Sequence, residues 1–111
     1  MTYSISMYLT IVESPQFTKL WPDYWTEDER GSFAAWLANN PDTGDVIPGS
    51  GGCRKIRWHV EGRGKRGGVR VIYFTRLKRG ELLLLTLYAK TKQENAPAHI
   101  LKKMKEVFAD D

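Results

Sequence analysis

Cysteine is nearly absent: Cys53 stands alone among 111 residues. One thiol cannot close an internal disulfide or build a multi-thiolate zinc site, so nothing here calls for an oxidising compartment. Histidine is almost as scarce. His59 and His99, with a single thiol, make no convincing zinc centre. Cys53 has no third partner that would complete a nucleophilic triad and reads as a core residue. Long apolar runs are missing too. The longest, Leu82 to Tyr88, is broken by Thr86 and falls well short of the ~20 residues of a membrane-spanning helix. No basic stretch precedes an apolar one at the N-terminus, which argues against a secretory signal and for a cytoplasmic location. A G-x-x-x-x-G-K-[ST] phosphate loop is lacking. Gly62, Gly64 and Gly67 spell G-x-G-x-x-G, but they lie between two predicted strands, with no helix N-terminus to receive a pyrophosphate. They read as a flexible cationic loop. Repeats, low-complexity tracts and linkers are absent, so residues 1–111 are expected to form one domain.

Acids are scarce in one place. Between Arg54 and Arg79 there are ten Lys and Arg residues and a single acid, Glu61. The formal charge of +4 therefore hides a division. Residues 1–52 carry two cations and seven acids, and residues 53–111 carry fifteen cations and six acids. A block this lopsided suggests an anionic partner, or a solvated basic surface.

The hydrophobic share of 41% fits a folded chain. Ser4 to Val12 reads as a first strand. Ser14 and Pro15 open a short helix carrying Phe17, Leu20 and Trp21, which Pro22 closes. Thr26 and Glu29 form a capping box ahead of Phe33, Trp36 and Leu37, predicting a helix over 26–39 that ends at Asn40 and Pro41. Asp42 to Gly52 reads as a loop. From Arg54 the period becomes two: Ile56, Trp58 and Val60 point one way, Lys55, Arg57 and His59 the other. Val69–Leu77 and Glu81–Tyr88 are apolar on both faces and read as central strands. Asn95 and Pro97 open a last helix with Ile100, Leu101, Met104, Val107 and Phe108 on one stripe. The expected fold is α+β, in the order β-α-α-β-β-β-α. The last three strands form an antiparallel meander, and the first two helices cover one face of it.

That topology gathers cations. Lys55 and Arg57 share a face of one strand, Arg70 lies on the next, and Tyr88 and Lys90 share a face at the end of the last. Neighbouring strands lie about 4.8 Å apart, so these groups can converge. Arginine offers a planar fork for phosphate and lysine a point charge. Tyr88 can stack on a base. Trp58 belongs to the apolar set of its strand and reads as core.

The segments Gly51–Arg57, Gly64–Tyr73 and Leu85–Lys90 are similar to the HigB branch of the RelE/ParE toxin superfamily. The Asn40-Pro41 helix end, the loop Gly44–Ile47 and the basic last helix match as well. The resemblance covers almost the whole chain. It implies a toxin of a type II toxin–antitoxin module, and many such toxins are ribosome-dependent endoribonucleases (mRNA interferases) that cut mRNA in the ribosomal A site. It also implies a HigA-like helix-turn-helix antitoxin, the ribosome and mRNA as partners, with no cofactor, metal or membrane. Carried over by motif, the catalytic positions are Lys55, Arg57, Arg70 and Lys90, with Lys92 close behind. Arg54, Arg63, Lys65, Arg66, Tyr88 and Lys92 are the expected contacts to RNA or ribosome. Some superfamily nucleases have an arginine and a tyrosine after the last strand, where this chain has Thr91 to Asn95, and this leaves the general acid open. Arginine transfers protons poorly, with a pKa above about 12, so Lys55 and Lys90 are the acid/base candidates. His59, on their face, is a lesser one. Two other readings compete: a ParE-like gyrase poison, and a non-catalytic protein that binds nucleic acid or antitoxin.

Overall fold

The computed structural model describes residues 2–4, 9–60, 68–89 and 96–108. Two short strands open the chain, β1 (Thr2–Ser4) and β2 (Thr10–Glu13), followed by α1 (Pro15–Leu20) and α2 (Glu27–Asn39). Then come β3 (Asp45–Val46), β4 (Arg54–His59), β5 (Gly68–Arg76), β6 (Glu81–Ala89) and α3 (Ala98–Phe108). The six strands form one sheet in the order β1-β2-β6-β5-β4-β3. β4, β5 and β6 are the expected antiparallel meander. β2 joins its far side parallel to β6, which the intervening helices make possible, because a parallel pair needs a long crossover.

Local chemistry explains the helix starts. The Ser14 hydroxyl accepts the Phe17 N–H at 3.0 Å and donates to the Leu85 carbonyl at 2.6 Å, so one side chain both caps α1 and ties it to β6. The Thr26–Glu29 box is reciprocal: Thr26 N–H to Glu29 at 2.8 Å, Glu29 N–H to Thr26 at 3.2 Å. Glu27, Asp28 and Glu29 sit in the first turn of α2, where the helix dipole favours negative charge. Much of the acidity of the first half of the chain is thus spent starting this helix.

The helices pack on one face of the sheet over Ile11, Val71, Tyr73, Leu82 and Leu84. A run of aromatic contacts knits that layer: Trp25 to Phe33 at 5.0 Å, Phe33 to Trp58 at 5.0 Å, Trp36 to Trp58 at 5.1 Å. Trp58 is therefore partly buried against the core, on the helix side of the sheet. Glu13, buried at the end of β2, accepts the Thr18 hydroxyl at 2.9 Å and pairs with Arg30 at 3.4 Å. The opposite face carries Cys53, Ile72, Leu85 and Tyr88, and α3 covers them with Leu101. With both faces apolar, β5 and β6 are central strands, as their unbroken apolar runs predict.

Three expectations need correction. The segment Ser4 to Val12 is not one strand: β1 (Thr2–Ser4) and β2 (Thr10–Glu13) are separate strands that pair antiparallel. The Asp42–Gly52 loop contains a strand, β3, at the sheet edge. The stripe of α3 is covered in part, with Leu101 buried but Ile100 44% and Val107 80% exposed.

Candidate functional site

Register decides which side chains meet. Arg57 on β4 stands opposite Arg70 on β5, and Arg70 stands opposite Tyr88 on β6. Directly opposed residues leave a sheet on the same face, with Cβ atoms roughly 5 Å apart. Arg57, Arg70 and Tyr88 therefore form one row across three strands. Two residues along each strand, Lys55, Ile72 and Thr86 form the next row on that face. His59, exposed, stands opposite Gly68 on the other side of the arginine row. Ile72 and Tyr88 belong to the layer under α3, so the rows lie on the α3 face, away from the aromatic layer.

The row is unusual in its burial. Arg57 is exposed, but Arg70 and Tyr88 are each 6% exposed. The Arg70 Nε and the Tyr88 hydroxyl are buried, and neither has a hydrogen-bond partner among the described residues. Buried polar groups are almost always paired, and exceptions mark strain, an unfilled ligand position or a catalytic role. Two such groups on register partners, with a second guanidinium beside them, make a place where an anion with several acceptor oxygens would answer both. Lys55, half-buried in the next row, adds a third cation.

Other candidates fall elsewhere. Arg54 emerges on the opposite face, opposite Tyr73. There its guanidinium donates to the carbonyls of Asp42 at 3.2 Å and Gly44 at 2.7 Å and pairs with the Asp42 carboxylate at 3.8 Å. Arg63, Lys65, Arg66, Lys90 and Lys92 lie outside the described residues. Cys53 is fully buried beneath α3, and burial pushes its thiol above the ordinary value, against the smaller opposing effects of Ser50 and Lys105. It is a core residue with no access to a substrate. His99 is exposed near the start of α3.

One neighbour of the cluster escaped the sequence reading. β3 brings Asp45 opposite Lys55, and Asp45, Ile47 and Pro48 wall a cavity that also touches Lys55 and Tyr88. A two-residue strand carries no period, so the pattern of residues gave no sign of it.

An α+β sheet with two helices on one face, one on the other, and cations crossing the meander is the architecture to compare. No family model matches this chain. Among solved structures, the chain is similar in fold to the E. coli toxin RelE, seen in the free state as a double mutant. The TM-score is 0.56 at 13% sequence identity, over 78% of this chain and 87% of that one. The fold is thus RelE-like. Among the described residues, no helix is long and apolar enough to cross a membrane.

Proposed function

We propose that this protein is the toxin of a type II toxin–antitoxin pair. In this reading it acts in the cytoplasm as a ribosome-dependent endoribonuclease on translated mRNA, held in check by a HigA-like helix-turn-helix antitoxin. The observation that carries the reading is the row of Arg57, Arg70 and Tyr88 beside Lys55, with two buried donors that no described residue answers. The fold it shares with a RelE toxin supports the choice of class.

The chemistry suits such a row. A ribose 2′-oxygen attacks the adjacent phosphorus, and the P–O5′ bond breaks. The 2′-OH proton passes to a base, and the leaving 5′-oxygen takes a proton from an acid. The products are a 2′,3′-cyclic phosphate and a free 5′-OH. Charge grows on the non-bridging oxygens in the transition state, where fixed donors in a partly dry site count most. Arg70 and Arg57 serve there, and Lys55 and Lys90 are the proton carriers.

The test is cleavage of an mRNA on translating ribosomes, read as new 5′-OH ends. Wild type should cut within codons. Arg70→Ala should cut at least ~10²-fold more slowly, the usual loss for one donor to a developing oxyanion. A folded Arg70→Ala protein that cuts at the wild-type rate would refute the assignment. Binding of RNA with no new ends would favour a non-catalytic protein.

A further inference from the structure

On its β3 side the cationic cluster borders a cavity of about 300 Å³, and Lys55 and Tyr88 belong to both. Ile47, Pro48 and Ala96 make apolar walls, and Asp45 supplies the one carboxylate among the described lining residues. Asp45 is exposed at the rim, on the same face as Lys55 by strand register. Apolar walls with a few placed polar groups characterise sites for small flat ligands, and this volume sits at the lower end of their range. A carboxylate beside a polyanion site repels the substrate unless it makes a compensating contact.

A phosphodiester held by Arg57, Arg70 and Lys55 carries a nucleoside on each side. Resting on that reading of the cluster, we propose that this cavity is a nucleobase subsite for the residue next to the scissile phosphate. Asp45 makes it prefer guanine. A carboxylate only accepts hydrogen bonds, and its two oxygens match a pair of parallel donors. On their pairing edges, guanine alone of the four bases sets two donors side by side, the ring N1–H and the exocyclic amine. Adenine and cytosine set one donor beside an acceptor. Uracil sets one donor between two carbonyls. Tyr88 and Pro48 are both in the lining, and an aromatic side chain is a surface that bases favour.

The test uses the full chain and two probes, guanosine 3′-monophosphate and adenosine 3′-monophosphate, followed by amide NMR shifts. Guanosine monophosphate should move the Asp45–Ile47 amides and bind about tenfold more tightly, the discrimination typical of one bidentate base contact. Asp45→Ala should bring the two affinities within about twofold, and Asp45→Asn, with a donor and an acceptor, should move the preference toward adenine. Equal affinities in wild type, or a guanine preference that survives Asp45→Ala, overturn the subsite and leave Asp45 as a charge guarding an edge strand. Cleavage mapping separates this from the function itself. A guanine preference that vanishes in Asp45→Ala, in a wild-type protein that cuts no RNA, supports the subsite and removes the nuclease reading. Cutting with no Asp45-dependent preference keeps the nuclease and removes the subsite.

Discussion

Arg70 is held at 6% exposure directly opposite Arg57. Like charges facing each other across a strand pair are destabilising, and replacing a buried, incompletely paired ion by an apolar residue of similar volume is often stabilising, by about 1–4 kcal/mol. Arg70→Met should therefore raise the unfolding midpoint, by about 4–8 °C for each kcal/mol recovered in a domain near this size. Cleavage should be lost at the same time. Thermal unfolding of the variant checks this, and a lowered midpoint would show that Arg70 is already well paired. Tyr73 presents the reverse case. Its hydroxyl donates to the Pro41 carbonyl at 2.7 Å and accepts the Gly44 N–H at 2.9 Å, and a Cβ at Gly44 would fall 2.8 Å from the ring. Burial, the largest influence, raises the Tyr73 phenol above 10.0. The folded state thus prefers the neutral phenol. Its stabilisation is complete below the unfolded value and is lost as pH rises through the higher folded one. Tyr73→Phe should be about 1–3 kcal/mol less stable at neutral pH, because Gly44 N–H is left unanswered. That gap should narrow above pH ~10, and denaturant titrations at the two pH values measure it. The cationic cluster was legible in the sequence because period-two alternation sorts Lys55 and Arg57 from Ile56. The burial of Arg70 was not, since it depends on what covers that face.

Among the elements, the two helices of the first half are written plainly in the chain. Ser14 with Pro15, and Thr26 with Glu29, are local signals whose hydrogen bonds form within three residues. The meander was legible for the same reason, its strands being joined in order. The parallel seat of β2 beside β6 was not, because its partners stand some 70 residues apart in the chain, and no local pattern records such a pairing. Residues 4–12 lack any Gly, Pro or Asn, so nothing signalled that two strands lay where one was expected. α3 is held more lightly than the central strands. Leu101 anchors it, but Ile100 and Val107 border an open groove of about 410 Å³ against Pro15 and Leu85. Lys105 supplements the anchor, donating to the Gly51 carbonyl at 2.9 Å and lying 4.5 Å from the Phe74 ring centroid. Hydrogen exchange should find α3 opening before β5 and β6. Lys105→Ala should speed exchange in α3 by roughly fivefold, which is about 1 kcal/mol for a hydrogen bond with a cation–π contact, leaving β5 unchanged. Equal acceleration in both would mean that α3 opens only with the whole molecule.

Across the whole molecule, the charge division becomes a division of labour. Three acids of the first half start α2, and Glu13 joins β2 to Arg30. Of the cations of the second half, Lys55, Arg57 and Arg70 lie on the α3 face of the meander, and Arg63, Lys65 and Arg66 fall in the segment 61–67. That segment links β4 to β5, and both strands feed directly into the Arg57–Arg70 row. If the proposed nuclease reading holds, these three cations are expected to contact phosphate, positioning RNA without reading its bases. Their number can be counted in solution. Each phosphate contact on a single strand steepens the fall of log affinity with log salt by about 0.7, because a condensed counterion is released. Changing all three to Gln should therefore make the slope for a single-stranded oligoribonucleotide shallower by about 2, and weaken binding most at low salt. Arg57→Gln alone should flatten it by one contact. An unchanged slope in the triple variant would take the segment off the RNA and leave the sheet face as the whole of the electrostatic footprint. A slope reduced in the triple variant, with the base preference of the Asp45 cavity intact, would separate the groups that hold the backbone from the group that chooses the base.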